Sequence, residues 1–323
     1  MEIVGIDVAK RKFDLAWLPE ATGKLRTKVF DNTAEGHKQL VGWLSKQGVQ
    51  AATCHVAMEA TGQYYEALAY ALHDAGFTVS VVNPLQIKAF GESLLRRQKT
   101  DRADAELIAR FCAQHRPAPW QPTPRHVREL QRLVARLEAV QAMHVQEQNR
   151  RYEASGPSLE SVERMLTTLD EEAARLKRMI NDHIDHHPDL REQKDLLCSI
   201  PGVGDQVSSY FMAWLPAERF DNTRQAVAFV GLSPSHRQSG DSVRGASRLS
   251  KLGHGRLRKI LYLPAMAAMR ANQAAAKMAE RLKAAGKRGK VIIVAVMRKL
   301  VHWMMGVLRS RTKFDPNLAL AKA

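Results

Sequence analysis

Cysteines, aromatic residues and acids are all scarce in this chain of 323 residues. Its three cysteines, Cys54, Cys112 and Cys198, are odd in number and too widely spaced for a disulfide framework or a zinc site. Aromatic residues make up only 6% of the chain, so stacking on nucleic-acid bases is not expected to dominate binding. The cysteine pattern excludes a disulfide-stapled secreted domain and favours a reducing cytoplasm.

Several sequence signals are missing as well. No apolar run is expected to approach the ~18 residues of a membrane span. The opening MEIVGIDVAK lacks the basic start and apolar stretch of a signal peptide. No GxxxxGK[ST] loop is present, so the sequence does not indicate chemistry driven by a bound nucleotide. We therefore expect a cytoplasmic protein with no nucleotide cofactor and no membrane segment.

Basic residues are abundant instead. There are 49 Lys and Arg against 33 Asp and Glu, which gives a net charge of +16 and a pI near 10.0. Such an excess favours a polyanionic partner, because binding releases the counterions around that partner. Nucleic acid is the leading candidate and a membrane surface is the weaker one. With 45% apolar residues the chain can also bury substantial cores.

The hydrophobic patterns predict an α/β part followed by an all-α part. Residues 1–118 alternate short β-rich runs with helical ones, which indicates a mixed α/β sheet. The predicted strands are EIVGIDVA, KFDLAWL, LRTKVF, HVAME and TVSVV, and a helix is predicted to begin at Gln63. Four prolines, at 117, 119, 122 and 124, then mark a domain boundary. Residues 119–193 are dominated by long amphipathic helices that break at SGPS, which indicates a helical hairpin or a coiled-coil arm. A plain helical subdomain packed on its own core fits that segment equally well. Residues 194–323 are predicted to be mostly helical.

Four carboxylates recur at the ends of these elements. Asp7 lies in the apolar strand EIVGIDVA, Glu59 closes the strand HVAME, and Asp101 and Asp104 lie three residues apart at a helix start. Each has an ordinary explanation, since an Asp at a strand end can be solvated and one at a helix start can cap free amides. Their order and type, however, match the RNase H or RuvC-like nuclease fold, in which carboxylates from separate elements hold divalent metal against phosphate. Mg²⁺ is the implied ion.

A rival metal site would need histidines. They are densest in DHIDHH, residues 182–187, which falls at the polar end of a helix just before Pro188. We interpret this cluster as solvated surface.

Two sets of motifs, read together, resemble one protein family. They are GIDVAK, MEATG and KTDRADAELIA in the first third, and FVGLSP with SGDSVRGASRLSKLGHGRLRKIL far downstream. The chain is similar over residues 3 to about 310 to the IS110-family transposases, DEDD-type recombinases that include the pilin-gene invertases.

The resemblance implies a catalytic assignment that the residues alone do not provide. It implies a RuvC-like N-terminal domain whose Asp7, Glu59, Asp101 and Asp104 bind metal, and a C-terminal transposase domain whose nucleophile is Ser239. A covalent phosphoserine-DNA intermediate and a structured guide RNA encoded by the element are implied in the same way. The three predicted domains are thus a DEDD domain (1–118), a helical arm (119–193) and a serine transposase domain (194–323).

The basic residues of the C-terminal third are candidates for binding DNA or RNA. One group surrounds Ser239, where arginine forks would suit the negative charge of a reacting phosphate; the other lies in a tract at 283–313 that has no acid. The candidates are Arg237, Arg244, Arg248, Lys251, Arg256, Arg258, Lys259, Lys287, Arg288 and Lys290. A helix at SIPGVGDQVSSYFMAWL is a further candidate for gripping phosphate, or simply an ordinary turn.

Three functions are compatible with these features. The first is a recombinase that cuts and rejoins donor and target DNA through Ser239, acting as a dimer or tetramer at the bacterial nucleoid. The second is a RuvC-like hydrolytic endonuclease, such as a junction resolvase, whose serine loop only grips phosphate. The third is a non-catalytic architectural protein whose acids brace the fold. Four well-placed carboxylates in a basic chain favour an enzyme.

Overall fold

The chain folds into two compact units, an N-terminal unit (Met1–Pro122) and a C-terminal unit (Thr123–Ala323). The structure, a computed structural model, describes residues 1–60, 62–95, 100–235, 238–239, 243–244, 248–249 and 252–321. At residues 218, 235, 238, 239, 243, 244, 248 and 321 the description is limited to the backbone.

The N-terminal unit is a five-stranded mixed sheet covered by helices. Its strands are β1 (Glu2–Val8), β2 (Lys12–Leu18), β3 (Arg26–Asp31), β4 (Cys54–Glu59) and β5 (Thr78–Val82). Its helices are α1 (Ala34–Lys46), α2 (Glu66–Asp74), α3 (Pro84–Ser93) and α4 (Asp101–His115). The strand order is β3-β2-β1-β4-β5, with the first three antiparallel and β4 and β5 parallel to β1. This topology is consistent with an RNase H-like domain.

Alternation along the strands divides the sheet into two faces, because successive side chains point to opposite sides. On β1, Val4, Ile6 and Val8 pack into a core with α1 and α2. Ile3 points to the other face and joins a second core with α3 and α4. Asp7 has the same parity as Ile3, so the sheet presents it to the α4 side.

The C-terminal unit is mainly helical. Its helices are α5 (Arg125–Arg151), α6 (Pro157–Asp185), α7 (Pro188–Cys198), α8 (Asp205–Trp214), α9 (Thr223–Val230), α10 (Gly255–Ile260), α11 (Tyr262–Ala271), α12 (Gln273–Ala284), α13 (Gly289–Ser310) and α14 (Pro316–Ala321). Four two-residue strands lie between α9 and α10: β6 (Pro234–Ser235), β7 (Gln238–Ser239), β8 (Val243–Arg244) and β9 (Arg248–Leu249). Strand β6 pairs with β9, and β7 pairs with β8.

Helices α5 and α6 form an antiparallel hairpin. Arg151 contacts Glu163 at the end near the connecting loop, and His183 contacts the His126 carbonyl at the other end. Apart from Leu166, the buried apolar residues of both helices belong to the same cluster as residues of α8 to α13. The hairpin is therefore part of the C-terminal core along much of its length. A coiled-coil arm stays a prediction.

Helix α13 packs into that core. An 18-residue stretch of this 22-residue helix has a mean hydropathy of 1.8, so by length and composition alone the helix could cross a membrane. The sequence had led us to expect no apolar run of this kind. Half of this apolar stretch is buried, including Val296, Leu300, Val301 and Met304. Burial inside the unit accounts for its apolar character.

The mixed sheet and the mainly helical C-terminal part are confirmed. The predicted strands coincide with β1 to β5 within a residue or two, and the break at SGPS separates α5 from α6. The helix predicted from Gln63 begins at Glu66. The division into three domains at 118 and 193 stays a prediction.

Candidate active site

The face of the sheet toward α4 carries three carboxylates at one edge. Asp7 on β1 lies directly opposite Asp14 on β2 in the antiparallel register, so both side chains point to the same face. Glu59 ends β4, one residue beyond the Ile6 and Met58 pair of the parallel register. The strand ends therefore place Glu59 beside Asp7.

Helix α4 adds Asp101 and Asp104 above this face. Thr100 caps the helix, since its hydroxyl accepts a hydrogen bond from Ala103 N at 3.2 Å, and its carbonyl accepts one from Asp104 N at 2.8 Å. The cap fixes where the helix begins. The two aspartates then fall in the first turn, on one side of the helix.

Gly5 allows α4 to pack directly on β1. A Cβ atom at this position would lie 2.2 Å from Ala109 N and 2.4 Å from the Ala105 carbonyl oxygen. The absence of a side chain at Gly5 thus sets the distance between the helix and the strand that carries Asp7.

The charges of this group act on one another. The pKa of Asp7 is raised from its ordinary value of 3.8 to about 6. Burial is the largest cause, followed by the negative charges of Asp104, Asp101, Glu59 and Asp14. All four acids predicted as site residues thus contribute to one electrostatic cluster, and Asp14 is a fifth member.

Lys12 brings a positive charge into the cluster. Its ammonium Nζ lies 3.1 Å from Asp14 Oδ2 and 3.0 Å from Asp101 Oδ2, which raises the pKa of Lys12 through hydrogen bonds to Asp101 and Asp14. Sequence reasoning missed both Lys12 and Asp14. The signal that could have found them was their spacing of two in the strand KFDLAWL, which puts them on one face of β2.

The donor chemistry of the cluster fits a hard divalent cation. Carboxylate oxygens are the ligands that Mg²⁺ prefers. A cation would also relieve the repulsion from Asp104, Asp101 and Glu59, which adds to burial in raising the pKa of Asp7. As they stand, the described residues include no group of three His, Cys, Asp or Glu side chains gathered closely enough to hold a metal ion. Like charges repel, which disfavours their closer approach in the absence of a cation.

Two histidines of residues 182–187 make contacts within the fold that the sequence did not predict. His186 is exposed, as expected. His183 and His187 are half-buried, so the cluster is solvated surface only in part. His183 contacts the His126 carbonyl at 2.8 Å, and the ring of His187 stacks on that of His126. This histidine group connects the start of α5 to the end of α6.

The segment around Ser239 is described through its backbone. Ser239 lies in β7 and pairs with Val243 of the antiparallel strand β8. The side chain of Ser239 is outside the described part of the structure, as are those of Arg244 and Arg248. Arg237 and Lys251 lie outside the described residues altogether.

The two ends of the segment 231–253, which contains Ser239, are held together by hydrogen bonds. His254 N donates to the Phe229 carbonyl at 2.6 Å, and Arg258 donates to the Val230 carbonyl at 3.1 Å. Gly253, with φ +132°, lies where a Cβ would be 2.4 Å from that Phe229 carbonyl oxygen. The 231–253 segment thus begins and ends at one point of the C-terminal unit. Arg258, a predicted nucleic-acid contact, thus makes a hydrogen bond within the protein at this point.

The remaining predicted cations line the surface of the C-terminal unit. Arg256 and Lys259 border a cavity of about 460 Å³, which Gly202 and Gly204 at the start of α8 also line. Arg256 also forms an ion pair with Glu138 at 3.4 Å. The other three cations are exposed at the start of α13: Lys287, Arg288 and Lys290.

In the comparison with known proteins, models of related transposase families match residues in both units. A family model of DEDD-type IS110 transposases matches residues 4–153, and one described as "Transposase IS116/IS110/IS902 family" matches residues 194–280. The chain is 31% identical to the pilin gene-inverting proteins of Moraxella bovis and Moraxella lacunata, over 98% of both chains in each case. It is also 26% identical, over 50% of its length and 38% of the relative's, to an uncharacterized 43.6 kDa protein of insertion element IS110 from Streptomyces coelicolor.

Proposed function

Since the chain belongs to the IS110/IS116/IS902 family of transposases and is a DNA recombinase, we propose that it cuts and rejoins DNA with a Mg²⁺ site and a serine nucleophile. The proposal rests chiefly on the carboxylate cluster of the N-terminal unit, where burial and mutual repulsion raise the pKa of Asp7 to about 6. A structural brace would not require so many like charges at one edge of a sheet.

Asp7, Glu59, Asp101 and Asp104 are the residues that would hold the metal ion. They come from three elements whose relative positions are set by the β1–β4 pairing and by the close contact of α4 with Gly5. When bound, Mg²⁺ supplies positive charge at the phosphate that reacts. The carboxylates position that charge, and the sheet keeps them in register.

Ser239 performs the chemical step in this proposal. Its hydroxyl oxygen attacks the phosphorus of a phosphodiester, loses its proton to the surroundings and forms a serine–phosphate bond, while the oxygen of one strand end leaves as a hydroxyl. A hydroxyl of another strand then attacks the same phosphorus and releases Ser239. One phosphodiester is exchanged for another, so rejoining needs no ATP.

Basic residues of the C-terminal unit bind the nucleic acid. Lys287, Arg288 and Lys290 lie at the N-terminus of α13, where the helix dipole disfavours cations. An anionic backbone along that surface would offset the effect of the dipole and the repulsion of the three cations by one another. By its family we further propose that a structured guide RNA, as well as donor and target DNA, is bound. Arg237, Arg244, Arg248 and Lys251 would serve the strand at Ser239.

The larger organisation follows the same family. We propose a DEDD domain (1–118), a helical arm (119–193) and a serine transposase domain (194–323), assembled as a dimer or tetramer at the bacterial nucleoid in the cytoplasm. Analytical ultracentrifugation of the full chain tests the assembly, because a strictly monomeric active species would contradict it.

Trapping the covalent intermediate tests the reaction. The full chain is incubated with end-labelled DNA and Mg²⁺, and a protein–DNA adduct is sought on a denaturing gel. We expect an adduct with the wild type and neither adduct nor cleavage with Ser239→Ala, a loss of many orders of magnitude. Cleavage without any adduct, reduced only about ten- to a hundredfold by Ser239→Ala, would instead indicate a hydrolytic nuclease.

Neighbouring hydroxyls provide matched controls. Ser242 and Ser247 lie in the same glycine-rich segment as Ser239. Their Ala variants should keep the adduct. An adduct that persists in Ser239→Ala, or that peptide mass analysis places on Ser242, would show that the nucleophile is a different hydroxyl.

A further inference from the structure

Lys12 is held in place before its side chain makes any contact. It is the first residue of β2, and its carbonyl accepts a hydrogen bond from Ala9 N at 2.9 Å across the β1–β2 turn. The side chain of Asn32 donates to the Ala9 carbonyl at 3.0 Å and so braces the same turn. The backbone therefore fixes the point from which the Lys12 side chain reaches the carboxylates.

The ammonium group of Lys12 joins two elements. The side chain of its partner on β2, Asp14, is 11% exposed, whereas that of its partner on α4, Asp101, is 58% exposed. Asp14 is thus the buried anchor and Asp101 the solvent-exposed partner. Asp14 also lies opposite Asp7 in the strand register, so the lysine is held within the carboxylate cluster.

A metal ion and Lys12 would compete for the same charge. Asp101 is one of the proposed ligands, and an oxygen that pairs with an ammonium at 3.0 Å has one coordination direction occupied. A divalent cation nearby would also repel the ammonium directly. Binding of the metal should therefore weaken the hold of Lys12 on Asp101.

We propose that Lys12 is a positioning residue that substitutes for the cation in the metal-free site. It holds Asp101 over the sheet, gives it up when a divalent metal binds, and stays anchored by Asp14 with its charge free to meet a substrate phosphate. The inference rests on the proposed metal site. One consequence is that metal and DNA support each other's binding, because the phosphate offsets the repulsion between Lys12 and the metal.

Metal affinity measured without catalysis tests this role. Mn²⁺ is titrated into the full chain, and the free ion is followed by electron paramagnetic resonance. Lys12→Met should bind Mn²⁺ about three- to tenfold more tightly than the wild type, because competition and repulsion are both removed. Lys12→Arg should bind like the wild type, since it keeps the charge. A short DNA duplex should tighten Mn²⁺ binding more in the wild type than in Lys12→Met.

Arg11→Met is the matched control. Arg11 is an exposed cation in the same turn and makes no ion pair within the described residues, so its loss should change the Mn²⁺ affinity by less than about twofold. Lys12→Gln removes the charge but keeps a hydrogen-bond donor, and it replaces Lys12→Met if that variant does not fold. Unchanged or weaker Mn²⁺ binding in the uncharged variants would overturn the inference.

A wrong assignment of the metal site would give a different result in the Mn²⁺ titration. Asp7→Asn should weaken Mn²⁺ binding at least tenfold, whatever residue stands at position 12. If Asp7→Asn and the wild type bind Mn²⁺ equally, the proposed site is wrong. If Asp7→Asn loses the metal while Lys12→Met matches the wild type, the site stands and only the role of Lys12 is refuted.

Discussion

Asp7 shows at the scale of one residue how a buried carboxylate conflicts with stability. Its strand is otherwise apolar, its carboxyl is partly withdrawn from water, and four other carboxylates surround it. Each of these raises the free energy of the charged form, so the pKa rises to about 6. In the metal-free protein this aspartate is a source of instability, which supports a role that needs a cation.

Because the pKa of Asp7 is raised in the folded protein, the effect of Asp7→Asn on stability should depend on pH when a chelator removes metal ions. The folded state binds the Asp7 proton more tightly than the unfolded chain does, so the stabilisation is full below pH 3.8 and is lost as pH rises through about 6. Asparagine resembles the protonated acid at every pH. The melting temperature of the variant should therefore match the wild type near pH 3.5 and exceed it by roughly 2–4 °C above pH 7.

Circular dichroism measured across this pH range checks the Asp7 prediction. An advantage of Asp7→Asn that does not change with pH would show that the charge of Asp7 is not the cause.

Sequence reasoning found the four acids because each stands at the end of a recognisable element. It did not find Asp14 and Lys12, whose importance depends on the register of β1 against β2. A shift of that register by one residue would turn both side chains to the opposite face, and turn residues 9–11 alone do not define it. The strands could be predicted from alternation, whereas contacts across them required the structure.

Helix α4 is the element on which the candidate site depends. Two of the five carboxylates of the site lie in the first turn of this helix, and the helix is held against β1 by Ala105, Ala109 and the bare backbone of Gly5. Sequence reasoning predicted that Asp101 and Asp104 share one side of a helix. It could not predict that α4 packs directly on β1, because a single glycine in a strand can mark a bulge, a tight bend or a close approach of another backbone.

Gly5→Ala should separate α4 from the sheet. The added methyl group would meet backbone atoms of Ala105 and Ala109 at 2.4 and 2.2 Å, which no side-chain rotation relieves. We expect a loss of about 1–3 kcal/mol in the free energy of unfolding, together with weaker Mn²⁺ binding. Urea denaturation and the metal titration measure the two effects.

Gly42→Ala is the matched control for Gly5→Ala. Gly42 lies in α1, and a Cβ added there would have no heavy atom within 4 Å, so the same methyl group should stabilise that helix by up to about 1 kcal/mol. Normal stability of Gly5→Ala would show that α4 is not docked as described.

At the scale of the whole molecule the net charge of +16 governs the interaction with nucleic acid. The charge does not determine which surface binds, since basic residues are distributed over both units. The exposed cations at the start of α13 make one surface testable, because they are adjacent and make no ion pair within the described residues.

Neutralising Lys287, Arg288 and Lys290 together should reduce the salt dependence of DNA binding. Each phosphate contact contributes about 0.9 to the slope of log K against log salt, so the triple Gln variant should lose roughly 2–3 from that slope. Fluorescence anisotropy with a DNA duplex at several salt concentrations measures it. The triple Gln variant of Lys24, Lys38 and Lys46, exposed lysines of the N-terminal unit, serves as the control. Equal slopes for the two triple variants would contradict the assignment.

The separate hydrophobic cores of the two units have a consequence for how the molecule absorbs heat. The apolar clusters of residues 1–122 and those of residues 123–323 share no side chain among the residues that the structure describes. Scanning calorimetry should therefore resolve two endotherms, with enthalpies of roughly 85 and 140 kcal/mol from their lengths. Mn²⁺ and the Asp7→Asn substitution should move only the smaller endotherm. A single endotherm that both perturbations shift as a whole would mean that the chain melts as one cooperative body.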